Sequence, residues 1–105
     1  MNPVPDQTAL NVLPPKTAKF AVEHIGSEEA VHVVLVGGGS QALIALDERL
    51  IIVKPGLMAG ASFGARVTSF AYRDISAVEV NTGMMNGVIE VITSGAAVKV
   101  SRTGR

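Results

Sequence analysis

The chain has no cysteine and no tryptophan, and its 105 residues include only one tyrosine and three phenylalanines. Without cysteine, neither a disulfide framework nor a thiolate metal site can form. Because 48% of the residues are hydrophobic and only 4% are aromatic, the core must consist mainly of Val, Ile, Leu and Ala. This composition favours β-strands, and the length is that of one domain.

Charges of one sign are not in excess either. Nine basic and nine acidic residues give a formal net charge of +0, which removes the broad positive field on which nonspecific nucleic-acid binding relies. We therefore expect no nucleic-acid partner. The longest apolar runs are about five residues, against about 20 for a membrane-spanning helix, and the first residues lack the basic and apolar regions of a secretory signal. These features predict a cytoplasmic protein.

Proline is concentrated near the start of the chain, at Pro3, Pro5, Pro14 and Pro15. With the small and polar residues around them, these prolines predict a flexible tail over residues 1–15 and a folded domain over residues 16–105. Between Lys16 and Ile25 the apolar residues recur at helical spacing, which predicts a short helix that ends at Gly26.

After Glu29 the apolar pattern changes from helical to strand-like, and Gly, Asp, Asn and Ser interrupt it. Seven strand-like segments follow, at residues 30–36, 42–46, 50–54, 67–72, 75–81, 88–93 and 96–101. Most connections between them are short, so we expect strands that are neighbours in sequence to pair antiparallel. The predicted fold is mainly β.

The last two segments predict a hairpin with a defined register. A two-residue loop at Ser94 and Gly95 places Glu90 opposite Lys99, and it pairs the apolar neighbours of these two residues along the same strands. One face is then aliphatic, while the other carries a pair of opposite charges. A slip of one residue would move the charges into the core.

The first hairpin has no such polar face. A GGGS loop at residues 37–40 pairs Val33 with Ile44 on one face and Val34 with Leu43 on the other. Since both faces are apolar, the sheet formed by the first three strands should be covered on both sides. We expect the N-terminal helix to cover part of the outer face, and another subunit to cover the rest.

The segments DERLIIVKPG and TSFAYRDISAVEVNTGMMNGVIEV resemble bacterial pleckstrin-homology-like (PH-like) domains, especially the short actinobacterial type. The resemblance covers roughly residues 28–101. It implies a PH-like barrel of about seven antiparallel strands in two roughly orthogonal sheets, and it points to self-association, because some bacterial relatives form oligomeric rings. The C-terminal helix that usually plugs one end of such barrels has no counterpart before the sequence ends at SRTGR, unless the N-terminal helix replaces it.

Motifs for chemistry are incomplete. The GGGS segment lacks the lysine of a phosphate-binding P-loop and does not fit GxGxxG, so it indicates a hairpin turn. His24 and His32 belong to different elements, and no third ligand accompanies them. No nucleophile elbow places a serine beside a base. We therefore expect no enzyme, no catalytic residue, and no cofactor or metal site.

Two connections carry unusually apolar side chains beside glycines. KPGLMAGASFGAR, at residues 54–66, contains Leu57, Met58 and Phe63, and TGMMNG contains Met84 and Met85. Methionine adapts to varied partner surfaces. If the strands simply alternate in direction, these two connections and the GGGS loop lie at one end of the fold. Their side chains then either plug the mouth of the barrel or contact another surface.

We expect a non-enzymatic module for protein–protein contact, with self-assembly into a homo-oligomer through the apolar sheet face and these loops. The candidate contact residues are Leu57, Met58, Phe63, Met84, Met85, Val34 and Leu43. The alternative is a peripheral membrane-lipid-binding module that uses the 55–64 loop, with Lys54 and Arg66 as flanking cations. Two cations at about 1 kcal/mol each attract anionic lipid only weakly. A third hypothesis, a small enzyme or ligand carrier, requires a pocket inside the barrel.

Overall fold

The computed structural model describes residues 6–56, 64–82, 87–95 and 97–101. In these ranges a 3₁₀ turn (Thr8–Val12) and one α-helix, α1 (Pro15–His24), precede seven strands. The strands are β1 (Val33–Val36), β2 (Ala42–Ala45), β3 (Arg49–Pro55), β4 (Ala65–Ala71), β5 (Ile75–Thr82), β6 (Gly87–Thr93) and β7 (Ala97–Ser101). They form a four-stranded sheet, β1–β4, and a three-stranded sheet, β5–β7, both antiparallel. The prediction of a mainly β fold is confirmed.

The two central strands of the four-stranded sheet, β2 and β3, are buried on both faces, as their doubly apolar pattern predicts, whereas β1, for which the same was expected, is largely exposed. Alternation along β3 sends Ile51 and Val53 into a core on the outer face, where they pack with Ala21 of α1. It sends Leu50 and Ile52 into a second core between the two sheets, which includes Val91 of β6. The N-terminal helix therefore covers the outer face, and the three-stranded sheet covers the inner one.

The segment before α1 packs on the four-stranded sheet. The Val31 amide donates a hydrogen bond to the Asp6 carbonyl (2.9 Å), the Gln7 side chain donates one to the Glu29 carbonyl (2.7 Å), and Leu13 is buried in the outer core. From Asp6 onward the chain thus belongs to the packed unit, in contrast to the flexible tail expected over residues 1–15. Residues 1–5 lie outside the described ranges.

The register of the last hairpin is confirmed. Glu90 lies opposite Lys99, and Val91 lies opposite Val98. Val91 is fully buried, whereas Lys99 is exposed. The alternation of one aliphatic and one charged face therefore fixes this pairing, as expected.

The predicted register of the first hairpin is wrong by one residue. Val34 pairs with Ile44, and Leu43 pairs with Leu35. The turn is a three-residue loop, Gly38–Ser40, closed by a hydrogen bond of 2.8 Å from the Gly37 amide to the Gln41 carbonyl. Gly39 and Ser40 both have positive φ angles (66° and 64°), which this tight loop requires.

Two side chains join the elements around the β2–β3 turn. Arg49 donates two hydrogen bonds to the Glu29 carboxylate (2.9 and 2.6 Å) and one to the His24 carbonyl at the end of α1 (2.6 Å). The Tyr72 hydroxyl donates to the Leu46 carbonyl, so the corner between the two sheets is tied to the same turn. These contacts hold the helix, the turn and the corner in one arrangement.

Candidate functional site

The described ends of three connections lie at one end of the fold, which we call the loop end. Across the four-stranded sheet, the pairings of Ala42 with Val36 and with Val53 set the β1–β2 loop beside the β3–β4 connection. The latter is closed by a hydrogen bond of 2.8 Å from the Gly56 amide to the Gly64 carbonyl. The ends of β5 and β6 meet Gly37 in a common cleft. The expectation that the connections themselves gather at this end stays a prediction, because residues 57–63 and 83–86 lie outside the described residues.

An apolar cleft opens between the two sheets at the loop end. Its volume is about 400 Å³, and its walls are formed by Leu35, Val36, Gly37, Val80, Gly87, Val88, Ile89 and Val100. None of these lining residues is ionisable. Aliphatic walls of this kind favour contact with an apolar group.

The cleft is open because the two sheets overlap only in part. On the inner face of the three-stranded sheet, Val91 is fully buried, but its cross-strand neighbour Val78 is 51% exposed and Val80 is 63% exposed. On the facing sheet, Leu35 of β1 is 41% exposed. At the edge strands β1 and β5, the inner faces of the two sheets therefore extend beyond the core and form an exposed apolar strip.

The structure places two of the candidate contact residues away from this cleft. Leu43 is buried between the sheets, and Val34 packs against the outer core beneath the N-terminal segment. The remaining candidates, Leu57, Met58, Phe63, Met84 and Met85, lie outside the described residues.

Sequence reasoning missed Val33, Leu35 and Val36 on β1 and Val78 and Val80 on β5, all of which are exposed. The available signal was the position of β1 and β5 at the edges of their sheets, since an edge strand has a neighbour on only one side.

Two cations lie side by side at the loop end. Lys54 pairs directly with Arg66 across β3 and β4, so both side chains leave the same face of the sheet. Burial lowers the pKa of Lys54, and the nearby charge of Arg66 lowers it further. Among the described residues, neither cation has an acidic partner within ion-pair distance. The pair is therefore available to an anionic group from outside.

One histidine forms a hydrogen bond with a carboxylate on the surface. His32 Nε2 lies 2.6 Å from Asp47 Oδ1, and both side chains are more than half exposed (55% and 52%). This hydrogen bond lowers the pKa of the Asp47 carboxyl, and a weaker one from the Ala30 amide adds to the effect. Because the pair joins the start of β1 to the β2–β3 turn, it serves as a surface tie.

The described residues contain no group of three or more His, Asp or Glu side chains that is arranged to hold a metal ion. Within the same ranges, no helix combines the length and apolar character needed to cross a membrane. Protein-family models, curated proteins and solved structures were compared with the chain, and none of them matches.

Proposed function

We propose that the chain is a non-enzymatic PH-like module for protein–protein contact, and that it associates with further copies of itself at the loop end. The observation that carries the proposal is the apolar cleft of about 400 Å³ between the sheets. An apolar cleft flanked by exposed aliphatic side chains supports the choice of this end of the fold as the contact surface. The described walls are aliphatic and contain no ionisable side chain, which fits the apolar centre of a protein interface.

The PH-like part of the proposal is supported by the seven described strands in two antiparallel sheets and by the corner at Tyr72–Asp74 that joins them. It includes closure of the two sheets into a barrel with one open mouth at the loop end. Helix α1 lies on the outer face of the four-stranded sheet, against Ile51 and Val53. It therefore does not cover this mouth.

Solution molar mass tests self-association. Light scattering over a concentration series should show a mass above that of the 10.9 kDa monomer at high micromolar concentration. The double variant Leu35→Ser, Val80→Ser should shift the protein toward monomer, because it removes apolar side chains from both walls of the cleft. A monomeric wild type at high micromolar concentration contradicts the proposal.

A matched control separates the cleft from general surface hydrophobicity. Val12, at the end of the 3₁₀ turn, and Val22, in α1, are 63% and 61% exposed, which is comparable to Val80 at 63%. The double variant Val12→Ser, Val22→Ser should associate like wild type. If both double variants associate equally, the cleft is not the contact site. Thermal unfolding of each variant confirms that the fold is retained.

A second candidate function is peripheral binding to anionic lipid, favoured by the direct pairing of Lys54 with Arg66 beside the 55–64 loop. Sedimentation with vesicles that contain an anionic phospholipid at low salt tests it. Binding should be lost in Lys54→Gln, Arg66→Gln and retained in Lys19→Gln, Arg73→Gln, which removes two cations elsewhere. No binding by the wild-type protein at low salt excludes this candidate.

A further inference from the structure

Two pairs of like charges stand directly opposite each other on paired strands. The first is the cation pair, Lys54 on β3 and Arg66 on β4. Lys54 alternates with Ile52, which belongs to the core between the sheets, so the pair lies on the inner face beyond the last core residues. Like charges directly opposite on neighbouring strands destabilise the sheet that carries them.

The second is an anion pair, Glu79 on β5 and Glu90 on β6. Both glutamates alternate with inward-facing valines and therefore lie on the outer face of the three-stranded sheet. Lys99 lies opposite Glu90 on β7, but no ion pair forms between described residues on this face. On this face Glu79 and Lys99 are exposed and Glu90 is half-buried.

The two pairs cannot meet within one molecule. The cations lie on the inner face of the four-stranded sheet, whereas the anions lie on the outer face of the three-stranded sheet. The three-stranded sheet itself therefore separates the two pairs. Both pairs are adjacent residues on antiparallel strands, so both have a separation of about 5 Å between their Cβ atoms. The two pairs share the same backbone spacing and carry opposite charge, so they are complementary in the way that charged groups facing each other across an interface are.

We propose that in the assembly the Lys54–Arg66 pair of one copy docks on the Glu79–Glu90 pair of the next. This inference rests on the self-association proposed above and gives it a direction. The contact joins two different surfaces, so it is heterologous, and repeated contacts produce either a closed ring or an open filament. The cation pair and the apolar cleft both belong to the loop end, and the anion pair forms the opposing surface.

Charge reversal tests the contact. The variant Lys54→Glu, Arg66→Glu and the variant Glu79→Lys, Glu90→Lys should each associate at least about tenfold more weakly than wild type at low salt, because like charges then face each other. An equimolar mixture of the two variants should regain association, since each contact in the mixture again joins opposite charges. Light scattering and sedimentation velocity provide the masses.

Controls keep the result specific. The variant Glu23→Lys, Glu28→Lys reverses two exposed charges away from both surfaces and should associate like wild type. If a reversal variant fails to fold in a thermal unfolding test, the neutral variants Lys54→Gln, Arg66→Gln and Glu79→Gln, Glu90→Gln replace it. In that case each neutral variant should weaken association, and raised salt should have less effect on it than on wild type.

The outcomes separate the two proposals. Association that survives both reversals overturns this contact and leaves self-association through the cleft standing. A wild type that stays monomeric overturns both. If the reversals leave self-association unchanged, but reversal of Lys54 and Arg66 abolishes binding to anionic vesicles, the cation pair serves a lipid headgroup and the proposed contact is wrong.

Discussion

Substitution of Arg49 by alanine should be among the most destabilising changes to a partly exposed side chain of this protein. The guanidinium donates to both oxygens of Glu29 at 2.9 and 2.6 Å, to the His24 carbonyl at 2.6 Å and to the Ser69 hydroxyl at 3.2 Å. It thereby joins the end of α1 and the chain after it to β3 and β4. After the substitution, the Gly26 amide at 2.8 Å remains as a partner of the carboxylate.

The magnitude follows from the exposure of the pair. The side chains of Arg49 and Glu29 are 30% and 27% exposed. Fully exposed ion pairs contribute about 0.2–1 kcal/mol, and hydrogen bonds to charged groups contribute about 1.5–3 kcal/mol, so a partly exposed pair should contribute an intermediate amount. We assign about 1 kcal/mol to the bidentate pair, about 1 kcal/mol to the bond with the His24 carbonyl and about 0.5 kcal/mol to the bond with Ser69. The expected loss is therefore about 2–3 kcal/mol.

Urea unfolding followed by circular dichroism measures this loss. At about 4–8 °C for each kcal/mol, the thermal midpoint should fall by about 10–20 °C. Arg49→Lys, which keeps the charge but not the fork of donors, should lose about half as much. Arg73→Ala, at an exposed arginine, should stay within about 0.5 kcal/mol of wild type. An Arg49→Ala variant as stable as Arg73→Ala would refute the assigned role.

Three further outcomes are expected. The hydrogen bond from Arg49 lowers the pKa of Glu29. The stabilisation that the ionised Glu29 contributes is therefore present above the unfolded-state pKa of about 4.3 and is lost as pH falls through the folded-state pKa. Urea unfolding below about pH 5 should show this loss of stability in wild type and less of it in Arg49→Ala. Thr17 is fully buried, and its hydroxyl donates a hydrogen bond of 2.6 Å to the Ser40 carbonyl. Thr17→Val should therefore lower the free energy of unfolding by about 1–2 kcal/mol, and Thr17→Ser, which keeps the hydroxyl, should lower it by less. Equal losses would contradict the hydrogen-bond role. Val91→Ala should lower the free energy of unfolding by about 2–3 kcal/mol because it opens a core cavity. Val78→Ala, on the same face but 51% exposed, should lower it by less than about 0.5 kcal/mol. Similar losses in the two variants would contradict the partial overlap of the sheets.

The two hairpins show how far sequence fixes a register. In the last hairpin, a shift of one residue would bury Glu90 and Lys99, so the pattern of charges determines the pairing. In the first hairpin, both faces are apolar, and a shift by one residue exchanges one aliphatic side chain for another. The conformations of Gly39 and Ser40 decide the loop length there. Their positive φ angles are not specified by the strand pattern.

The same ambiguity limited the prediction of the contact surface. Val34 and Leu43 were expected to share a face because the register was taken one residue away from the observed one. In the structure they lie on opposite faces, and each is covered, Val34 by the N-terminal segment and Leu43 by the three-stranded sheet. Burial depends on which elements overlap, and the apolar pattern of a single strand does not contain that information.

The size of the exposed apolar strip limits how the copies can hold together. Full burial of a valine or leucine contributes about 1.5–3 kcal/mol, so half-exposed side chains such as Leu35 and Val80 stand to gain about 1 kcal/mol each. Four such side chains give about 4 kcal/mol, which only reaches the lower end of the about 4–15 kcal/mol that association costs. The cleft alone cannot hold two copies tightly. Association should therefore be weak and sensitive to salt, with the charge pairs as its second component; tight, salt-insensitive association would require a contact surface other than these two.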